Sequence, residues 1–279
     1  MTFREAVAKL KEAGIEEADT EARILFAELG HIPAYKLHTE ESTVDDPRLT
    51  DALVRRIQRE PLAYILGEVS FYKEIYRVSP HVLIPRRDTE ILVERAIRLL
   101  PPNAHFLDFC TGSGCIAISV LASRPDCTAC AIDISEKALA LALENAERNG
   151  VSDRLTVRTA DLLHEKIDVS DAAAILSNPP YIAHEEKNTL APELAYEPQN
   201  ALFADENGLL FYRHFLTQYE NDMQNRKFFL FEIGHTQKED LLALAAKNRM
   251  IAEFFCDYGG VARVALCRAL SDSLFLSNT

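Results

Sequence analysis

The sequence predicts an α/β fold with a mostly parallel sheet, preceded by a small all-helical domain. From residue 104 onward, short apolar runs alternate with helical patterns, whereas residues 1 to about 66 show helical spacing alone. Near the C-terminus, two strand-like runs flank Gly259-Gly260, a pattern typical of an antiparallel hairpin. We therefore expect a helical domain at 1–67, a β-hairpin linker at 68–84 and an α/β domain at 85–279.

The helical domain is predicted from the spacing of its apolar residues. Phe3, Val7 and Leu10 recur at the interval that places side chains on one face of a helix. Further helices are predicted at 49–58 and 62–66. The segment 68–84 differs, because its apolar run is interrupted by Lys73-Glu74 and indicates a hairpin.

In the α/β domain, strands are predicted where a short apolar run ends in turn residues, and helices where the pattern is longer and periodic. The predicted strands are His105–Cys110, Thr128–Asp133, Leu155–Ala160, Ala172–Asn178, Phe228–Ile233, Ile251–Tyr258 and Val261–Ala269. The predicted helices are Ile91–Leu100, Cys115–Ala122, Glu136–Asn149, Leu209–Gln224 and Gln237–Lys247.

Composition narrows the class of protein. A chain of 279 residues with a net charge of −13 is unsuited to gripping naked nucleic acid, which requires clustered Lys and Arg against the phosphates. An acidic protein is better suited to a neutral or basic protein partner. The sequence has no run long enough to span a membrane and no apolar export signal at its start, so we expect a cytoplasmic protein.

The six cysteines include the pair Cys127 and Cys130, whose spacing is compatible with a redox or zinc site. No second pair or suitably spaced histidine follows it, and the pair runs into a predicted strand. We therefore interpret these cysteines as small apolar core residues and expect no metal site.

The tetrapeptide Asn178-Pro179-Pro180-Tyr181 is the most informative motif. It follows a buried strand, at the edge where parallel sheets bind their ligands. The prolines fix the backbone and remove two N–H donors, so the loop offers carbonyl acceptors, with one more on the Asn178 side chain. Such a loop suits a planar amide or exocyclic amine, and Tyr181 would pack on its face. A rigid exit from the strand, without chemistry, is the alternative for this motif alone.

A glycine-containing turn follows the first strand of the domain. The segment Cys110-Thr111-Gly112-Ser113-Gly114 leads into a helix, and its glycines allow a ligand to approach the backbone. The absence of Gly-Lys-Ser/Thr excludes a Walker loop. A nicotinamide cofactor stays open at this point, because Ala117 is tolerated where a third glycine would stand.

Acidic residues follow the next two strands. Asp133 lies about 20 residues after the glycines, where an acid accepts both hydroxyls of a ribose. Asp161 could accept from an adenine amino group while Leu162 packs on the ring, although a helix cap or turn is the alternative for Asp161. Together with Asn178, these residues indicate an adenosine-containing cofactor beside a site for a planar amine, the combination required for methyl transfer from S-adenosylmethionine to nitrogen.

The chain resembles the HemK-type family of protein glutamine N5-methyltransferases, which modify peptide-chain release factors. The resemblance covers nearly the whole chain. The segments that carry it are Pro61–Gly67, Ile84–Glu90, Asp133–Ser135, Ser177–Ile182, Glu197-Pro198, Ala201-Leu202, Asp257–Gly259 and Arg263. One departure is Cys110, where the family usually has glycine. We expect it to weaken or shift cofactor binding if the backbone there needs a positive φ.

The resemblance implies a Rossmann-like class I S-adenosylmethionine-dependent methyltransferase domain, and a helical domain that helps to hold a class I release factor. The implied acceptor is the glutamine of a Gly-Gly-Gln motif. The residues implied to bind the cofactor are Cys110, Thr111, Gly112, Ser113, Gly114, Asp133, Asp161, Leu162 and Asn178. Those implied at the substrate are Asn178, Pro179, Pro180 and Tyr181, of which Asn178, Pro179 and Tyr181 are catalytic.

Two other functions compete with this interpretation. Adenine-N6 and cytosine-N4 nucleic-acid methyltransferases use closely similar Asn/Asp-Pro-Pro loops on a flipped base, but the net charge of −13 speaks against them. A non-catalytic adenosine-binding protein of the same fold is favoured by Cys110 alone.

Overall fold

A computed structural model of the protein describes residues 1–32, 43–224 and 226–270. The parts of the predicted domains at 33–42 and 271–279 lie outside the described residues. The chain divides into two compact units. The first comprises Met1–Gly67 with Ala191–Tyr196, and the second comprises Glu68–Leu190 with Glu197–Thr279.

The first unit is helical and has its own apolar core. Two of its helices begin at side-chain caps: the Thr2 side chain and Glu5 form a capping box, and Asp46 caps a helix that has Pro47 in its first turn. The core includes Leu10 and Phe26, both buried. The helices are α1 (Phe3–Glu12), α2 (Ala18–Glu28), α3 (Pro47–Ile57) and α4 (Leu62–Leu66).

The segment Ala191–Tyr196 is held in this first unit by ion pairs. The Glu193 carboxylate lies 3.0 Å from Arg56 Nη2 and 2.8 Å from Arg59 Nη2. Arg56 is buried and also pairs with Glu21. The Tyr196 hydroxyl donates to the Gln58 carbonyl at 2.7 Å. This grouping was not predictable from the sequence, because the contacts made by Glu193 and Tyr196 join residues more than a hundred positions apart.

The second unit contains a hairpin and a seven-stranded sheet of order β5-β4-β3-β6-β7-β9-β8. Strands β3 to β7 pair in parallel, and β9 pairs antiparallel with both β7 and β8, which confirms the predicted architecture. The strands are β1 (Glu68–Phe71), β2 (Glu74–Arg77), β3 (His105–Phe109), β4 (Thr128–Asp133), β5 (Leu155–Thr159), β6 (Ala174–Ser177), β7 (Phe228–Glu232), β8 (Met250–Cys256) and β9 (Ala262–Ala269).

Helices cover both faces of the sheet, so the central strands β6 and β7 are buried along their whole length. Neighbouring residues of β3 illustrate this: Phe106 packs in the core on one face and Leu107 in the core on the other. The helices are α5 (Thr89–Leu99), α6 (Cys115–Ser123), α7 (Glu136–Arg148), α8 (Gln199–Leu202), α9 (Leu210–Gln218) and α10 (Lys238–Lys247).

Several predicted boundaries were wrong for local physical reasons. Strand β3 ends before Cys110, whose φ of 59° leaves the extended region. Strand β6 ends before Asn178, since Pro179 has no N–H to continue a ladder. The helix predicted to reach Gln224 ends at Gln218, and Tyr219 begins a turn in which its carbonyl accepts from the backbone N–H of Asp222.

The C-terminal hairpin is organised by the Asp257 side chain. Its Oδ1 accepts from the backbone N–H of Gly259 at 2.8 Å and of Val261 at 3.0 Å, and its Oδ2 accepts from Arg263 at 2.9 Å. Asp257, Gly259 and Arg263, which are among the residues that carry the resemblance, are thus joined by hydrogen bonds in one turn. No helix within the described residues combines the length and apolar character that a membrane crossing requires.

Candidate active site

The ends of four neighbouring parallel strands line one cavity of about 460 Å³. The loop after β3 contributes Cys110 to Ser113, and the residues that follow β5 and β6 contribute Asp161 and Asn178. The topology explains the convergence, because the carboxyl ends of parallel strands share one edge of the sheet. Of the residues predicted for the site, those on the wall are Cys110, Thr111, Gly112, Ser113, Asp133, Asp161, Leu162, Asn178 and Pro180.

Gly114, Pro179 and Tyr181 do not line this cavity. Gly114 has a φ of 80°, and a Cβ there would lie 2.9 Å from Ile118 Cδ1 and 3.0 Å from Ala142 Cβ. Glycine is therefore required at this position so that α6 and α7 can pack closely, rather than for an approach to a ligand.

The glycine loop is fixed by a buried carboxylate beneath it. Asp108 Oδ2 accepts from the Thr111 hydroxyl at 2.6 Å and from the backbone N–H of Ala117 at 3.2 Å. Burial raises the pKa of Asp108 to about 7, and the bond from Thr111 opposes that rise. Asp108 therefore ties the loop to the first turn of α6.

The loop leaves room and polar atoms for a ligand. Gly112 lies on the cavity wall with a φ of 54°, and a Cβ placed there would meet no atom within 4 Å. Within the described residues, the buried Ser113 Oγ on the cavity wall has no hydrogen-bond partner, and neither has Asp108 Oδ1 beneath the loop. The unpaired Ser113 Oγ beside an open cradle fits a polar cofactor that supplies the missing bond.

Cys110 adopts the backbone conformation that the family's glycine provides without strain. Its φ of 59° lies in the left-handed region, which costs a residue with a Cβ about 1 kcal/mol. Burial raises the pKa of the Cys110 thiol well above its ordinary value, so the side chain is neutral. The backbone at Cys110 therefore has the positive φ under which we expect the replacement of glycine to weaken or shift cofactor binding.

Asp133 joins the glycine loop to the start of α7. Its Oδ2 accepts from the backbone N–H of Gly112 at 2.9 Å, and its Oδ1 accepts from that of Ser135 at 2.9 Å. Burial raises the pKa of Asp133, and the backbone bonds oppose the rise. Because each carboxylate oxygen accepts more than one bond, both keep capacity for a ligand hydroxyl.

Asp161 forms the turn that was the alternative interpretation for it. Its oxygens accept from the backbone N–H of Leu163 at 3.0 Å and from His164 Nδ1 at 2.8 Å. The bond with His164 lowers the pKa of Asp161, so the carboxylate is charged at neutral pH. Leu162 beside it is buried and lines the cavity. A turn residue of this kind is still positioned to meet a ligand.

The Asn178 side chain is held from the opposite side of the cavity. Its Nδ2 donates to Thr89 Oγ1 at 3.3 Å, and Thr89, which begins α5, also lines the cavity. Because Nδ2 is engaged, the carbonyl oxygen Oδ1 is the atom left for a donor in the cavity.

Glu232 is a site residue that the sequence analysis missed. It ends β7 and is buried, and its Oε2 accepts from the Thr89 hydroxyl at 2.5 Å while its Oε1 accepts from the Tyr181 hydroxyl at 3.2 Å. The signal was available, because Glu232 is an acid at the end of a buried parallel strand, the same criterion that selected Asp133. Tyr181 is thus tied through its hydroxyl to the same carboxylate as Thr89.

Glu197 and Arg86 form a pair at the cavity that the sequence analysis also missed. Glu197 is buried, its Oε2 accepts from the backbone N–H of Ile84 at 3.1 Å, and its other oxygen accepts from Arg86, which lies on the wall. Two segments that the resemblance had singled out separately, Ile84–Glu90 and Glu197-Pro198, therefore meet at the site.

Comparison with known proteins identifies the family to which the chain belongs. A family model described as "Methyltransferase small domain" matches residues 87–228, and one described as "PrmC N-terminal domain" matches residues 2–67. A release factor glutamine methyltransferase from Cereibacter sphaeroides is 38% identical over 272 residues, covering 95% of this chain and 91% of that protein.

The chain belongs to the release factor glutamine methyltransferase family. A bifunctional methyltransferase of Rickettsia prowazekii is 36% identical over 276 residues, and the chain spans about half of that relative, which is 51% covered. Among solved structures, the hMettl16 catalytic domain in complex with a MAT2A 3'UTR hairpin has a TM-score of 0.54 at 16% identity, covering 80% of this chain and 79% of that one. This last likeness concerns the fold alone.

Membership makes the chain an S-adenosylmethionine-dependent methyltransferase. The six cysteines are free; Cys127 is buried, as expected of a core residue, whereas Cys130 is only partly buried and Cys256 is exposed. Among the described residues, no group of His, Cys, Asp and Glu has the arrangement of a metal site.

Proposed function

We propose that the protein methylates the side-chain amide nitrogen, N5, of the glutamine in the Gly-Gly-Gln motif of class I peptide-chain release factors, with S-adenosylmethionine as donor. The observation that carries the proposal is the Asn178 amide. Its Nδ2 donates to Thr89, so its oxygen is available to a donor group. Asn178 lies on the wall of the same cavity as the glycine loop. The names of relatives similar over most of the chain support the substrate class.

A glutamine amide nitrogen is a poor nucleophile, because its lone pair is delocalised into the carbonyl. Asn178 Oδ1 and the Pro179 carbonyl would each accept one of its two N–H groups. These bonds orient the nitrogen toward the methyl group, and their fixed dipoles favour the positive charge that develops on nitrogen. Tyr181 would pack against the amide plane. The proton is lost after methyl transfer, so no side-chain base is required.

S-adenosylmethionine would supply an electrophilic methyl group on its sulfonium. Gly112 and Ser113 would accommodate its methionine part beside Cys110 and Thr111. Asp133 would accept from the ribose hydroxyls, using the lone pairs that its backbone partners leave. Asp161 and Leu162 would hold the adenine, by hydrogen bonding and by packing respectively.

We further propose that the helical domain at 1–67 binds the release factor, and that the 68–84 segment links it to the methyltransferase domain. With a net charge of −13, the chain is suited to a protein acceptor rather than to direct contact with nucleic acid. Because its proposed substrate is a translation factor, we place the reaction in the cytoplasm.

Transfer of labelled methyl groups tests the proposal. The purified protein is incubated with labelled S-adenosylmethionine and a class I release factor, and in parallel with the same factor carrying alanine in place of the Gly-Gly-Gln glutamine. We expect label on the unmodified factor alone. Label on DNA or RNA in a third reaction, with none on the factor, would overturn the proposal in favour of the nucleic-acid methyltransferase.

A further inference from the structure

Glu232 is the buried acid behind the proposed catalytic loop. The parallel register pairs Ser177 with Phe231, which brings the next positions, Asn178 and Glu232, to adjacent strand ends. Each Glu232 carboxylate oxygen accepts a hydrogen bond from a hydroxyl, one from Thr89 and the other from Tyr181. The Tyr212 hydroxyl holds the backbone carbonyl of the same residue at 2.8 Å. A carboxylate buried with two hydroxyl donors and no cationic hydrogen-bond partner in its described contacts is costly to maintain without a role.

The direction of each hydrogen bond follows from the carboxylate. An ionised carboxylate only accepts, so the Thr89 hydroxyl must donate its single proton to Glu232. The lone pairs of Thr89 Oγ1 then face Asn178, and only the NH2 group of Asn178 can bond to them. The alternative amide orientation, with Oδ1 facing Thr89, would place two acceptors together without a proton between them.

We propose that Glu232 is a positioning residue that fixes the orientation of the Asn178 amide through Thr89, and so presents its oxygen rather than its nitrogen to the acceptor substrate. The inference rests on the proposed function, because it explains how Asn178 can accept a bond from the substrate's amide N–H. Glu232 does not contact the substrate itself. Its second bond, from Tyr181, ties the far end of the loop to the same carboxylate.

The charge state of Glu232 is finely poised. The pKa of Glu232 is raised to about 7, chiefly by burial and also by Asp88, while the hydroxyls of Thr89 and Tyr181 and the charge of Arg86 limit the rise. Loss of the charge would allow the relay to reverse: a protonated Glu232 can donate to Thr89, which then donates to Asn178 Oδ1 and turns the amide around.

Variants of the relay test the inference. Glu232→Gln keeps the shape but can donate to Thr89, and Thr89→Val keeps the shape but removes the hydroxyl, whereas Thr89→Ser restores it. We expect Glu232→Gln and Thr89→Val to lower kcat by about 10-fold or more, as expected for losing a bond to a charged group. KM for the release factor and Kd for S-adenosylmethionine, by calorimetry, should change little, and Thr89→Ser should recover most of the kcat that Thr89→Val loses.

Ser119→Ala is the matched control, because Ser119 is a buried hydroxyl of the same unit that bonds to Tyr76 and does not line the cavity. A wild-type kcat in Glu232→Gln and Thr89→Val, with the wild-type enzyme active, would overturn the inference and leave the proposed function intact. A kcat that Thr89→Ser fails to recover would also overturn it, since packing and not the hydroxyl would then matter. Absence of methyl transfer by the wild-type enzyme would overturn the proposed function itself.

Discussion

A functional carboxylate buried at Glu232 has a cost in stability that can be measured. Its pKa rises from 4.5 to about 7 on folding, so the native state binds a proton that the unfolded state has released. The unfolding free energy therefore falls as the pH rises between the two values and stays low above about 7. A rise in pKa from 4.5 to about 7 corresponds to about 3 kcal/mol of lost stability once the group is ionised.

Glu232→Gln removes this titration and leaves the side-chain volume unchanged. We expect the unfolding free energy of the variant to gain about 3 kcal/mol relative to the wild type between pH 4.5 and about 7, because every other group titrates alike in both proteins. Urea denaturation at a series of pH values, followed by circular dichroism, gives this difference. A difference in unfolding free energy that stays constant across the pH range would show that ionisation of Glu232 does not lower the stability.

Three further predictions concern the same cavity. Because the relay needs an ionised Glu232, the wild-type kcat should fall as the pH drops through about 7, whereas the kcat of Glu232→Gln should be lower and independent of pH there; a parallel fall in both would contradict the charge relay. Cys110→Gly should tighten S-adenosylmethionine binding and Cys110→Val should weaken it, since the first removes a Cβ at φ 59° and the second adds a branch there; calorimetry that ranks them in reverse would sink the strain argument. Asp133→Ala should weaken cofactor binding by about 10- to 100-fold, and an unchanged Kd would exclude the ribose role.

The order of helices and strands in the α/β domain was predictable because its patterns are local. The runs that form β6 and β7 are mostly apolar, and such runs indicate strands buried on both faces. The helix at Cys115–Ser123 follows directly from the glycine turn, and its start was predicted correctly. Ends were less predictable, since the positive φ of Cys110 and the early end of the helix at Gln218 depend on backbone geometry that composition does not reveal.

The candidate site was predictable wherever one strand end carries its own signal. Asp133, Asp161 and Asn178 each lie at or just after the end of a strand, and shared topology brings them to one cavity. The residues that act on one another across the sheet were not predictable. Thr89 and Asn178 are 89 positions apart, and Thr89 and Glu232 are 143 apart, so only the packing of α5 against the folded sheet brings them together.

The most direct test of the account is the position of the methyl group on the release factor. Tandem mass spectrometry of the peptide that contains Gly-Gly-Gln, after reaction with the wild-type enzyme, locates the modified atom group within one residue. We expect a single methyl group on the glutamine side chain after reaction with the wild-type enzyme, and none after reaction with Asn178→Ala. A methyl group on any other residue, or an undiminished glutamine signal with Asn178→Ala, would contradict it.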